Sequence, residues 1–491
     1  MQQQRHHDGW DPSATMTRAW CRSRCAGAVA TLYTASILLA AASPLAAQGL
    51  PLIRDTEIEA LLKDYSRPIF REAGLERQNI QMKIVNSRVF NAFVFDGGNV
   101  FIHTGALMTA ETPNEVIGVI AHETGHIARA DIASLQASIR RATEQQLLLA
   151  LLGIGLMVGG AIAGGDTARD MGALGTATQS AGQSFVIHDL LRMRRQQESA
   201  ADQAGFQYLT RAKQSGRGML TTFERLASGN MFSIGDQFLR THPTEAARLQ
   251  QLRELVEKSP FVNKLDPPEL QLRHDLMRAK LYGYTASREV AGKYPATDNS
   301  LPARYARAIV RNCAGRCARA IEDVDALIRE KPTNPYFWEL KGHLLVYDRK
   351  LREAEAPLRE ALRLLKGNAP QVQILLARTL AESNDPSLLP QAIDLAEKAL
   401  IQEKEDVQIY QLLSQAYYSL QKEGEAQLMT AEVCLLRGNP ARAHIFAKRA
   451  QNEFAKRPPD KQRGVEAKKT RAADIIITTA QHASGRLDGG C

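Results

Sequence analysis

Apolar and polar positions recur with a helical period from Asp55 to about Leu75, which predicts a first helix. The period then shortens to two in three brief runs, Gln81–Asn86, Arg88–Phe95 and Asn99–His103. These predict strands, and Asp96-Gly97-Gly98 between the last two predicts a hairpin. Thr112-Pro113-Asn114-Glu115 is a capping box with Pro at the first helical position, so a helix should run from there to about Arg140. Leu147–Gly165 carries no charge, and Phe185–Leu209 has another long helical pattern. A loop with Gly229, Met231, Phe232 and Gly235 leads to Thr241-His242-Pro243. After Pro267-Pro268 helix follows helix with no strand signal.

That second half repeats. Ala320, Ala354, Ala392 and Ala426 recur at intervals of 34, 38 and 34 residues. Around the second of them, Trp338, Gly342, Leu345, Leu351, Ala354, Leu358 and Ala361 fall on the tetratricopeptide spacing. Small residues are needed there because paired helices approach closely only where side chains are short. Stacked pairs leave a concave face suited to a peptide or protein. Beyond Lys456 the run Arg457, Lys461, Arg463, Lys468, Lys469, Arg471 reads as a solvated, partly disordered end.

Composition narrows the class. The chain has 491 residues, 44% hydrophobic and 23% charged, which excludes a disordered chain or a small disulfide scaffold and calls for at least two domains. Its net charge of +9 is spread thinly. No basic block is dense enough for nucleic acid, which is excluded as a partner. Arg18, Arg22 and Arg24 precede an uncharged stretch, Ala26–Ala47, that closes with small residues. This is a signal-peptide pattern, cut near Ala47, and Met16 would serve as its start. Export would leave Cys313, Cys317, Cys434 and Cys491 in an oxidising compartment, where Cys313 and Cys317, four apart on a helix, would bridge only with strain.

The chemistry is carried by His122-Glu123-Thr124-Gly125-His126. On a helix, residues four apart share a face, so both imidazoles can reach one Zn²⁺. Glu123 lies about 100° round from His122. It can therefore touch a water at the metal without becoming a ligand. A catalytic zinc needs three protein ligands and an open position. Glu198, on the second long helix, is the natural third ligand, and Asp202 one turn along can hold the outer N–H of a ligating histidine. Of the remaining histidines, His103 and His188 are the near rivals, and neither has a partner at ligand spacing.

HExxH, a second helix with Glu198-x-x-x-Asp202 and Gly205, then His242-Pro243 and Arg248, resembles the HtpX-like zinc metallopeptidases, a family that includes the CAAX prenyl proteases. Asn91-Ala92-Phe93 and Thr104-Gly105-Ala106-Leu107 fit its edge strand and lead-in helix, and the likeness covers about residues 55–255. It implies an α+β, zincin-like metalloprotease domain, mostly helical with a small sheet, holding one zinc per subunit. His122, His126 and Glu198 would be the metal ligands and Glu123 the general base and then acid. Asp202 and Arg248 would support the ligands. Asn91 and Ala92 would present backbone groups to an extended substrate. His242 would be a catalytic residue or a fourth zinc ligand that shuts the site, and its loop suits a movable plug.

Leu147–Gly165 is long enough to span a bilayer, but six of its nineteen residues are Gly. A single span would put His126 and Glu198 on opposite sides of a membrane although both must meet one zinc. The segment is therefore expected to pack on its own domain or to touch a membrane surface peripherally.

The expected order is a signal peptide at 1–47, a metallopeptidase domain at 48–262, a linker and helical connection at 263–300, an all-α tetratricopeptide solenoid at 301–456 and a basic tail at 457–491. That order is similar to repeat-bearing periplasmic members of the family. It implies an endopeptidase, with chaperone activity, in the quality control of outer-membrane β-barrel proteins. Its substrates would be unfolded or misassembled barrels, and its docking partner the β-barrel assembly machinery. The alternatives are a chaperone or scaffold with a shut zinc site, or an inner-membrane quality-control protease.

Overall fold

The computed structural model describes residues 50–95, 98–131, 192–228, 242, 246–313, 315–457 and 466–482, with single helical positions at 134, 137 and 140. These divide into two compact units, with the boundary between Leu281 and Tyr282.

The first unit starts with β1 (Leu52–Ile53) and α1 (Thr56–Glu72), which is capped by the Asp55 carboxylate accepting the Ile58 N–H at 2.9 Å. Then come β2 (Gln81–Val85), β3 (Ala92–Phe95) and β4 (Asn99–His103). The sheet order is β1-β2-β4-β3, with β2 and β4 parallel and the two outer strands antiparallel. The strand expected at 88–95 is therefore shorter at its start. Before Asn91 the chain crosses the N-terminus of α2 (Thr104–Thr109): Ser87 C=O accepts the Gly105 N–H and the Thr104 hydroxyl, at 2.8 and 2.9 Å. A backbone spent on a helix end cannot also serve a ladder.

Helix α3 (Pro113–Ala128) has the expected cap, with Thr112 Oγ1 accepting the Glu115 N–H at 3.4 Å. The Glu115 carboxylate accepts the Glu111 N–H at 3.1 Å, one residue upstream of a standard box. A second long helix, α4, occupies 192–211, followed by α5 (Arg217–Ala227), α6 (Ala246–Glu257) and α7 (Pro268–Thr285). Part of the segment expected as a linker is thus built into this unit. On α7, Lys280 is buried at 2.7 Å from Asp55 and 3.3 Å from Glu57, and His274 is fully buried.

The second unit is a succession of helices: α8 (Leu301–Cys313), α9 (Cys317–Glu330), α10 (Pro335–Tyr347), α11 (Leu351–Leu364), α12 (Pro370–Ala381), α13 (Leu389–Leu400), α14 (Val407–Ser419), α15 (Glu423–Leu436), α16 (Pro440–Ala455) and α17 (Glu466–Thr479). Each packs chiefly on the next in sequence. Ala320, Ala354 and Ala392 are fully buried at these contacts, and a Cβ on Gly342 would lie 2.4 Å from Leu358 Cδ2. The basic end needs correction over 466–482. Ala472, Ile475 and Thr479 form a buried stripe on α17, and Arg471 pairs with Glu432 at 2.5 Å, so its charges dock rather than dissolve. Cys317 keeps a free thiol and is not bridged to Cys313.

Among the described residues no helix is long and apolar enough to cross a membrane. Leu147–Gly165 and His188 lie outside the described residues, as does most of the loop before His242.

Candidate active site and zinc centre

Helix α3 presents His122 and His126 from one face, their rings edge to face with centroids 4.8 Å apart. Helix α4 brings Glu198 and Asp202 against them. The two helices meet backbone to backbone because each offers a glycine. A Cβ on Gly125 would stand 2.8 Å from Ala201 O, and one on Gly205 2.9 Å from Ala121 O. Any larger residue at either place would push the ligand-bearing turns apart.

His242 completes the cluster. His122, His126, Glu198 and His242 are all buried and each points one donor atom at a common centre. His122 Nε2 is 3.2 Å from His126 Nε2 and 3.2 Å from His242 Nδ1. The Glu198 carboxylate lies 3.1 Å from His242 Nδ1 and 3.5 Å from each of the other two Nε2 atoms. A tetrahedral zinc with bonds of about 2.0–2.1 Å has edges of about 3.3 Å between its ligands. Five of the six edges bracket that value, with Glu198 reaching His122 and His126 through different oxygens, and all the donor atoms lie within 4.8 Å of one another. Three imidazoles and a carboxylate with these spacings fit Zn²⁺ in donor type and in size.

The charges around the cluster favour a cation. Burial disfavours a charged His122, yet the Asp202 and Glu198 carboxylates outweigh it and push its pKa up to about 10. Burial likewise opposes the Glu198 charge, but His122 and His242 hold its carboxyl well below the usual carboxylate range. Asp202 is lowered too, against its burial, by His122 and Arg248. Arg248 grips Asp202 with two hydrogen bonds of 2.8 and 2.9 Å and places Nη1 3.2 Å from Glu198. Asp202 Oδ1 in turn lies 2.9 Å from His122 Nδ1, close but not aligned as a hydrogen bond.

Glu123 is fully buried, and among the described residues neither carboxylate oxygen has a hydrogen-bond partner. His242 Nε2 stands 3.5 Å from its Oε1. A buried acid without partners is costly, and here it stands against the donor cluster, where a reacting water or amine would satisfy it. Phe223 closes the apolar side, edge-on to His122 at 5.3 Å.

Residues 52–256 match the model of peptidase family M48. Over that span the chain is similar to an M48 metallopeptidase domain. The span contains every member of the donor cluster, and HExxH with its glutamate partner makes the chain a zinc metalloprotease. The "Beta-barrel assembly-enhancing protease" of Escherichia coli K12 is 24% identical over 401 residues, 79% of this chain and 77% of its own length. The protein of the same name in Yersinia pestis is 24% identical over 384 residues, 74% and 73% of the two chains. The "Metalloprotease LoiP" of E. coli K12 is 27% identical over 199 residues, 39% of this chain and 70% of its own.

At the rim of the M48 domain the substrate-facing expectation is corrected in part. The Asn91 carbonyl is occupied, accepting the His103 N–H at 3.0 Å. Antiparallel partners alternate between bonded and non-bonded pairs, so Asn91 and Phe93 turn their backbone groups to β4 while those of Ala92 and Val94 face outward. Among the described residues no strand covers that outer side of β3. His103 is buried with Nδ1 3.3 Å from Val89 O, burial pushes its pKa down, and it is not among the converging donors.

One neighbour of the cluster escapes sequence reasoning. Asp131 Oδ2 lies 3.0 Å from His126 Nδ1. An acid five residues past a histidine has no periodicity that would single it out.

Proposed function

We propose that this chain is a periplasmic zinc endopeptidase acting on unfolded or misassembled outer-membrane β-barrel proteins. The observation that carries the hydrolytic part is Glu123, a buried carboxylate with no hydrogen-bond partner among the described residues, beside a cluster of four metal-ligating side chains. The substrate class is supported by the relatives named for β-barrel assembly, whose similarity runs through both units.

In this reading His122, His126 and Glu198 would hold the zinc. Zinc, when bound, supplies Lewis-acid polarisation of the scissile carbonyl and lowers the pKa of water. Glu123 accepts the proton of the attacking water and returns it to the leaving amine. Asp202, clamped by Arg248, orients His122. Ala92 pairs its outward N–H and C=O with an extended substrate as an added strand. His242, whose Nδ1 already stands in the donor set, acts as a fourth ligand that shuts the resting site. That placement also favours a second reading, in which the shut protein works as a chaperone and proteolysis follows release of His242.

The M48 domain would occupy 48–262, after a signal peptide cleaved near Ala47. Helices within 301–456 would form a tetratricopeptide solenoid, supported by nearest-neighbour packing and by buried alanines at the repeat positions. Its concave face would dock to the β-barrel assembly machinery. Segment 147–165 would touch the membrane surface.

The test is Glu123→Gln. The variant should keep zinc and fold, lose hydrolysis on the order of 10²–10⁴-fold, and retain uncut β-barrel proteins in a pull-down from cells. Hydrolysis near the wild-type rate would reject Glu123 as the base. A pull-down without barrel proteins would reject the substrate class.

A further inference from the structure

Asp131 is a buried acid, 6% exposed, with no part in the chemistry above. Ala130, just before it, has φ +52°, a left-handed conformation that residues with a Cβ rarely adopt. The turn ends α3 and swings the chain back, so that Asp131 Oδ2 meets His126 Nδ1 at 3.0 Å. The other carboxylate oxygen is 3.6 Å from Arg129 Nε. Because His126 turns Nε2 towards the donor cluster, that atom must keep its lone pair, and the ring proton must sit on Nδ1. An acceptor at 3.0 Å holds it there.

The same residue reaches the other ligand helix. Asp131 C=O accepts from Ser134 Oγ at 2.9 Å and from Gln197 Nε2 at 3.2 Å, and Gln197 Nε2 also donates to Ser134 Oγ at 2.7 Å. Gln197 immediately precedes Glu198. We infer that Asp131 is a positioning residue for the metal: its carboxylate sets the tautomer and tilt of His126, and its carbonyl, through Gln197, fixes the α4 turn that carries Glu198.

This inference rests on the zinc reading and is tested apart from it by metal affinity in the full-length protein. In competition with a chromogenic chelator, Asp131→Ala should weaken zinc on the order of 10–100-fold. Asp131→Asn, which keeps an acceptor without the charge, should fall between that variant and the wild type. Cobalt-loaded Asp131→Ala should show a shifted visible spectrum, because the ligand ring is no longer held. Wild-type affinity and an unchanged cobalt spectrum in Asp131→Ala would overturn the inference, as would a variant that only melts lower in the presence of chelator. If the alanine variant does not fold, Asp131→Asn decides: weakened zinc supports the role and unaltered zinc refutes it. A wild-type protein without affinity for zinc would overturn the metal reading and this inference together.

Discussion

In the M48 unit the centre is charged: His122, Glu123, His126, Glu198, Asp202 and Arg248 are buried together, and Lys280 lies buried with Asp55 and Glu57. In the helical unit the centre is alanine and leucine, and many of its ion pairs are partly or wholly exposed, such as Lys398–Asp394. Buried charges are costly unless paired or bound to metal. The first unit therefore depends on a few exact polar contacts, whereas the second gains its stability in small apolar increments between neighbouring helices. A site needs the former; a docking scaffold can be built from the latter.

The largest expected effect breaks the charged centre at its least settled member. His242→Ala should remove a donor, open the site and raise hydrolysis of a casein-like substrate, with Glu123→Gln as the inactive control. If His242 instead steadies the developing oxyanion, the same change should cost activity on the order of 10²–10³-fold with zinc retained. The two roles predict opposite signs.

In the apolar unit, Leu358→Ala should cost about 2–5 kcal/mol by leaving a cavity, since Leu358 is fully buried beside Gly342 in one apolar cluster with Leu376 and Leu380. Thermal or denaturant unfolding measures it, and zinc content of the M48 unit should not change. A destabilisation below 1 kcal/mol, on the scale of about 2–5 kcal/mol for such sites, would mean the helices are loosely packed.

A comparable effect belongs to pH and to the first unit. His274 Nε2 donates to Ala110 O at 3.0 Å and Nδ1 accepts from Tyr65 Oη at 3.0 Å, which fits the neutral ring. Burial, aided by the Arg278 charge, pushes its pKa down to about 4. The unfolded chain, with an ordinary histidine near 6.5, binds the proton more tightly, so this stability is full above about pH 6.5 and lost as pH falls towards 4. The difference amounts to about 3 kcal/mol. Unfolding followed from pH 7 to 5 in the presence of chelator should show about 2 kcal/mol of that loss in the wild type and a flatter profile in His274→Gln.

The smallest effect is expected where charge is exposed. Lys398→Ala removes an ion pair of 2.6 Å whose side chains are 58% and 59% exposed. It should change stability by no more than about 0.5 kcal/mol. A larger loss would show that surface pairs help hold the helical unit and would weaken the contrast between the two regions.

HExxH was legible because its geometry is local. Two histidines four apart share a helix face whatever surrounds them, and the Thr112 cap and the alanine period follow from equally short-range rules. Glu198 and Asp202 were legible for the same reason once a zinc demanded a third ligand.

What depended on distant segments was not. The left-handed Ala130 that returns Asp131 to His126, the use of the Asn91 carbonyl by His103, and the burial of His274 and Lys280 on α7 all join residues with no shared period. The docking of α17 was hidden by its basic residues, because the partners of those charges, Glu432 and Glu397, are 39 and 71 residues away. Helical spacing decides which side chains share a face; only the packing of one backbone on another, as at Gly125 and Gly205, decides what that face meets.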